Sequence, residues 1–153
     1  MKKILIISQT SQSGLNGLQM MEIVNILGGK GLEISTKKEA DQVEYYDIER
    51  ADKIIMIVPE WNGSFPWTFK KMIDFSGYPS SLEGKPILLI GTSSSTFGNL
   101  LGISQLSSIL GWVGANVYNK PVCVPFIDQK FAKNDIVVDE RLNEEVLKFV
   151  NNF

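Results

Sequence analysis

Three polar stretches hold most of the side chains in this sequence that are suited to binding a small molecule. The first, Ser8-Gln9-Thr10-Ser11-Gln12-Ser13-Gly14-Leu15-Asn16, is built of hydroxyls and amides and runs into a helical pattern. Free backbone N–H groups at a helix N-terminus, ringed by hydroxyls, suit a phosphate. The same composition equally suits a solvated turn with a serine N-cap. With one glycine and no lysine it is neither a Walker A loop nor a GxGxxG turn. The second stretch is Pro59-Glu60-Trp61-Asn62-Gly63-Ser64-Phe65-Pro66-Trp67. Gly63 admits a positive φ and close backbone approach, and Ser64 is placed to N-cap the helix that follows. Asn62 and nearby amides suit hydrogen bonding to a flat heterocycle with Trp61 beside it. Alternatively, Trp61 and Trp67 cover the core or sit at a subunit interface. The third stretch sets Thr92, Ser93, Ser94, Ser95 and Thr96 between Gly91 and the Phe97-Gly98-Asn99 end. It is either a cradle for a ligand's edge or a flexible loop ending in a helix cap.

What the chain lacks narrows the chemistry further. It has 153 residues, no histidine and one cysteine. Ser-His-Asp and Cys-His triads, imidazole-ligated zinc and internal disulfides are therefore excluded. Arg50 and Arg141 are the only arginines, which leaves little material for guanidinium clamps on phosphate or bases. A formal net charge of −2 gives no attraction toward nucleic acid or anionic membrane. No apolar run reaches the roughly 18–20 residues of a membrane span. Ile4 to Ile7 after Lys2 and Lys3 reads as a first strand rather than a signal peptide. The expectation is a soluble cytoplasmic protein with no metal site.

Four continuously apolar runs are read as strands covered on both faces: Lys3–Ile7, Lys53–Val58, Pro86–Ile90 and Ala115–Tyr118, the last extending toward Val124. A weaker strand, Leu32–Ser35, follows the glycine-rich break at Gly28 to Gly31. Between the strands lie helical stripes: Met20, Ile23, Val24 and Leu27; Phe65, Phe69, Met72 and Ile73; Ile103, Leu106, Leu110 and Val113. A fourth stripe, Leu142, Val146, Phe149 and Val150, follows the N-cap candidate Asp139. The charged stretch from Thr36 to Asp52 has room for only a short helix. Alternating strands and helices predict an α/β fold with five parallel strands in the order 2-1-3-4-5, and one domain over residues 1–153. In that order the three polar stretches meet at the switch point beyond the strands' carboxyl ends.

Pro59-Glu60-Trp61-Asn62-Gly63-Ser64-Phe65-Pro66, with Lys70, Ile73 and Asp74 after it, resembles the signature of the NADPH-dependent FMN reductase family. Ala51-Asp52 before the third strand and the order of polar loops are similar to the family as well. Trp61 replaces a tyrosine of that signature and Trp67 a glycine. Ser11 stands where an arginine is frequent, and Phe97-Gly98 where two glycines are common. The resemblance implies a flavodoxin-like three-layer sandwich that binds FMN. It would place Gln9, Ser11, Ser13, Gly14, Leu15 and Asn16 at the phosphate. Pro59, Glu60, Trp61, Asn62, Gly63 and Ser64 would lie along the flavin ring, with Thr92, Ser93, Ser94 and Ser95 on its other side.

The implied activity is hydride transfer from NADH or NADPH through flavin to a small-molecule acceptor such as free flavin, a quinone or an azo compound. No catalytic side chain is assigned, because the flavin carries the chemistry. Glu60 is read as a structural or interface acceptor, Asp74 as part of a solvated face and Cys123 as a core residue. The resemblance also implies a homodimer or homotetramer through the helix after the signature, with Phe65, Trp67 and Lys71 contributing. Two other readings stay open: a non-enzymatic FMN carrier, and a degenerate family member that binds a protein partner.

Overall fold

The computed structural model describes residues 1–9, 14–131 and 139–153. Its strands are β1 (Lys3–Ser8), β2 (Glu33–Lys37), β3 (Lys53–Pro59), β4 (Pro86–Thr92), β5 (Asn116–Val117) and β6 (Val122–Val124). The helices are α1 (Leu15–Leu27), α2 (Tyr45–Arg50), α3 (Trp67–Asp74), α4 (Leu100–Trp112), α5 (Ile127–Lys130) and α6 (Glu140–Asn152). The sheet is parallel in the order β2-β1-β3-β4-β5, as the sequence predicts, and β6 pairs with β4 as well.

The apolar runs are continuous because alternate residues serve opposite cores. Leu5 and Ile7 of β1 join Ile54, Met56, Ile87 and Leu89 beneath Phe69, Met72, Ile103, Leu106 and Leu110 of α3 and α4. Ile4 and Ile6 join Ile55, Ile57, Leu88 and Ile90 beneath Met20 and Ile23 of α1 and Val146 and Phe149 of α6. A sheet with helices on both faces has no polar side, so period-two alternation is absent. Asp139 caps α6 as predicted, its carboxylate accepting the Leu142 N–H at 3.0 Å. At the other end of α6, the buried Lys53 donates to the carbonyls of Phe149 at 2.7 Å, Val150 at 2.9 Å and Phe153. Burial, with Lys2 nearby, lowers the pKa of that ammonium.

Two details correct the sequence reading. The fifth run does not continue from Tyr118 to Val124. β5 pairs beside Pro86–Ile87 and β6 beside Ile90–Thr92, so residues 118–121 span only Leu88 and Leu89 of β4. Pro121 has no N–H to give a ladder, which accounts for the break. Ser64 does not cap α3 either. That position belongs to Pro66, which makes no side-chain cap, while the Ser64 hydroxyl donates to Gln105 Oε1 at 2.6 Å.

Candidate functional site

At the carboxyl edge of the sheet, the β3–β4 ladder runs on into the loops. Pro59 pairs with Thr92, and the Glu60 N–H donates to Thr92 O at 2.9 Å. The chain then reverses in a tight turn in which Trp61 and Ser64 exchange backbone hydrogen bonds of 3.0 and 3.1 Å. Asn62 at φ 50° and Gly63 at φ 74° supply the two left-handed residues such a turn requires. The Asn-Gly pair thus has a local purpose: it turns its own side chain and Ser64 outward while Glu60 and Trp61 stay at the edge.

Beneath this turn Asn99 is 1% exposed, in the left-handed region at φ 62°. Its Nδ2 donates to Val58 O and Pro59 O, each at 3.0 Å, and its Oδ1 accepts the Gly102 N–H at 3.2 Å. One carboxamide therefore caps α4 and fastens the end of β3 to it. Asn16, in the first turn of α1, does the equivalent on the other side. Its Nδ2 donates to Gln9 O at 3.2 Å and its Oδ1 accepts from Thr92 Oγ1 at 2.7 Å. Glycine permits the close packing behind these ties: a Cβ on Gly91 would lie 2.2 Å from Gly98 O.

The result is a cleft of about 120 Å3 lined by Leu15, Asn16, Pro59, Glu60, Trp61, Thr92, Ser93, Ser94 and Ile127. Eight of these nine are expected ligand residues, drawn from all three polar stretches. Glu60 is the one ionisable side chain among them. The remaining expected residues are placed elsewhere. Gln9 is buried below the cleft, with its amide on Glu39. Gly14, the left-handed N-cap of α1, lines a separate groove with Leu18, Met21, Val24 and Lys38. Asn62 and Gly63 face outward, and Ser95 holds the Ser93 hydroxyl at 3.0 Å and Glu60 at 3.4 Å. Ser11 and Ser13 lie outside the described residues.

Ile127 was not anticipated. It belongs to α5, whose Ile127 and Phe126 N–H groups donate to Ser93 O at 3.0 Å and Ser95 O at 3.3 Å. Phe126 stands in the left-handed region at φ 51°, which costs a residue with a β-carbon roughly 1–2 kcal/mol. Such strain is found where surrounding contacts over-determine the backbone.

Of the other side chains the sequence singled out, Asp74 is exposed and pairs with Lys70 at 2.7 Å. Cys123 is half-buried against the α3–α4 core, and burial pushes its thiol pKa up, Arg141 opposing. Trp67 does not cover the core, being 60% exposed.

The edge offers fixed hydrogen-bonding groups rather than an acid–base pair. At the end of β1, Ser8 Oγ and Gln9 Oε1 are buried with no hydrogen-bond partner among the described residues. Buried polar atoms are normally satisfied. The Asn16, Thr92, Ser93 and Ser94 polar groups, with Trp61 beside them, fit a ligand that carries hydrogen-bonding groups and a flat face.

Comparison with known proteins agrees with this geometry. Residues 4–128 match the family profile described as NADPH-dependent FMN reductase. A 2-hydroxy-1,4-benzoquinone reductase of Burkholderia sp is 26% identical over 110 residues, covering 69% of this chain and 60% of the relative. A quinone reductase of Escherichia coli (strain K12) is 37% identical over 76 residues, covering 48% of this chain and 40% of the relative. The chain thus spans about three fifths of the length of the first of these curated relatives and two fifths of the second. The structure of FerB, a flavoenzyme NAD(P)H:(acceptor) oxidoreductase from Paracoccus denitrificans, superposes with a TM-score of 0.84 at 24% identity. That superposition covers 99% of this chain and 96% of the other, and shows a shared flavodoxin-like fold. Among the described residues no helix is long and apolar enough to cross a membrane.

Proposed function

Because the chain belongs to the NADPH-dependent FMN reductase family, we propose that it is an FMN-dependent oxidoreductase. It passes a hydride from NADH or NADPH, by way of bound flavin, to a small-molecule acceptor such as a quinone, an azo compound or free flavin. One observation carries this reading: parts of all three polar stretches line a single cleft at the switch point of the sheet. The names of the relatives, two of them quinone reductases, favour a quinone among the acceptors.

When bound, FMN supplies the hydride-accepting and hydride-donating chemistry. The chain supplies binding and orientation. Leu15 and Asn16 of the cleft, with Gln9, Ser11, Ser13 and Gly14 of the same stretch, would hold the phosphate end through amides, hydroxyls and the positive end of the α1 dipole. Pro59, Glu60 and Trp61, carried by the turn that Asn62, Gly63 and Ser64 complete, would lie along the flavin ring. Thr92, Ser93, Ser94 and Ser95 form the opposite wall. With no histidine in the chain, no imidazole serves as a proton relay.

The test is an absorption spectrum of the purified protein before and after FMN, then NADH or NADPH under anaerobic conditions, then a quinone. Bound flavin is expected to bleach with the nucleotide and recover its colour with the quinone. Failure to take up FMN at tens of micromolar would overturn the proposal.

The reading also includes a homodimer or homotetramer, one domain over residues 1–153 and a cytoplasmic location. The outer side of α4 carries no charged residue, and Leu101 and Trp112 on it and Trp67 on α3 are 61%, 91% and 60% exposed. Large apolar side chains left in water in this way support an interaction face. Both cores share the one sheet, in keeping with a single domain. A monomer on sizing, two separate melting transitions or recovery in a membrane fraction would each remove the corresponding part.

A further inference from the structure

Glu22 is the one carboxylate among the fully buried side chains of the described residues, at 2% exposure, and nothing in the flavin reading uses it. It lies on α1, the helix whose first turn enters the cleft. Its Oε1 accepts the Asp139 N–H at 3.2 Å, its Oε2 accepts Gln19 Nε2 at 2.7 Å, and Lys130 Nζ reaches both oxygens, at 3.2 and 3.0 Å. Lys130 also lies 3.6 Å from Asp139 Oδ2, and its own side chain is 10% exposed. One carboxylate therefore joins α1, the last residue of α5 and the N-cap of α6.

What this clasp holds is the fourth wall of the cleft. α5 is a single turn of four residues, too short to be stable by itself. Its first residue is Ile127 of the cleft, and it begins from the left-handed Phe126. Two backbone bonds, to Ser93 and Ser95, fix its front end, and the Lys130–Glu22 pair fixes its back end. A buried ion pair contributes little net stability compared with apolar packing, but removing one partner strands the other charge. Such a pair is suited to defining a position.

We infer that Glu22 is a positioning residue: through Lys130 it locks α5 against the Ser93–Ser95 loop, so that Ile127 closes the cleft beside the bound flavin. The inference rests on the proposed flavin cleft for its consequence, though not for the docking of α5 itself. Glu22 touches no reacting atom.

The experiment combines hydrogen exchange on the full-length protein without flavin and FMN titration followed by flavin fluorescence, both well below the melting temperature. In Glu22→Gln, exchange at the Phe126 and Ile127 amides is expected to rise while the β4 amides of Leu88 and Leu89 stay protected. The FMN dissociation constant is expected to rise roughly tenfold, the factor one charge-assisted hydrogen bond contributes. Glu22→Asp keeps the charge but shortens the reach, and should show the same pattern more weakly. It serves as the variant to read if Glu22→Gln does not fold. Unchanged exchange at Phe126 and Ile127, or a rise shared equally by β4, would overturn the positioning role. If wild-type protein takes up no FMN, the flavin reading fails while the exchange data still decide the role of the clasp.

Discussion

The tie made by Asn99 gives a prediction that can be worked from its three hydrogen bonds. Replacing Asn99 with glycine keeps the left-handed conformation at φ 62° free of strain but removes the carboxamide. Losing the side-chain cap on Gly102 costs only a few tenths of a kcal/mol when glycine takes its place. The larger loss is at Val58 O and Pro59 O, whose donor 3.0 Å away disappears. Each buried acceptor left unpaired costs about 1–3 kcal/mol, so Asn99→Gly is expected to cost roughly 2–6 kcal/mol in all. In a domain of this size that lowers Tm by roughly 4–24 °C. Asn99→Asp keeps the cap and tolerates the backbone, yet aims a carboxylate at two carbonyl oxygens. It should melt below Asn99→Gly at neutral pH, and the gap should narrow on acidification as the introduced carboxyl regains a proton to donate. Differential scanning calorimetry of the three proteins across pH decides the matter. A glycine variant within one degree of wild type, or an aspartate variant more stable than the glycine one, would refute the bracing role.

Two further outcomes follow from packing and burial. Gly91→Ala puts a Cβ 2.2 Å from Gly98 O and 2.5 Å from Ile103 Cδ1, so backbone must move. The variant is expected to lose more stability than Asn99→Gly on a urea melt, and a near-neutral result would show that β4 and the Gly98 turn are not in contact. Cys123, its thiol pKa raised by burial, should react with a disulfide reagent at pH 8 more slowly than in guanidinium-unfolded chain. Because the folded state keeps this proton longer than the unfolded one, Cys123 lowers stability as pH rises above its ordinary 9.0. Cys123→Ala should flatten that decline, and an unaltered pH profile would count against it.

The parts of this fold that were legible in the sequence are those fixed by short-range pattern. Ile4 to Ile7 and Ile54 to Val58 read as doubly covered strands because the runs are apolar without interruption. Gly63 read as a position of positive φ because it has no β-carbon, while the matching φ of Asn62 is seen only in the folded turn. The fifth strand was half legible: its apolar residues announce it, but only the pairing with β4 shows where Pro121 interrupts the ladder. α5 was not legible, since four residues, Ile127-Asp128-Gln129-Lys130, show no period and are helical only through contacts with Ser93, Ser95 and Glu22. Glu22 itself looks like a solvated helix residue until α6 and Lys130 are brought to it across more than a hundred residues of chain. Asn99 had a readable signal in the Gly98-Asn99 pair, which favours consecutive left-handed residues, but not its reach to β3. For the site, the three polar stretches came from composition and the residues expected to line the cleft from the family resemblance, whereas the side chains that hold its walls depend on distant partners.

The interruption between β5 and β6 has a bearing on how this protein avoids strand addition along the edges of its sheet. A parallel sheet closed on neither side offers two rows of unpaired backbone groups, and each invites another chain to add a strand. Here one border is cut into pieces of two and three residues, with Pro121 set in the gap where a continuous template would otherwise run. The other border, β2, carries Glu33 and Lys37, which pair with Lys3 and Asp47 and keep charge along that strand. Substituting Pro121 with a β-former and lengthening the strand would tidy the sheet, at the risk of aggregation that the broken edge now discourages.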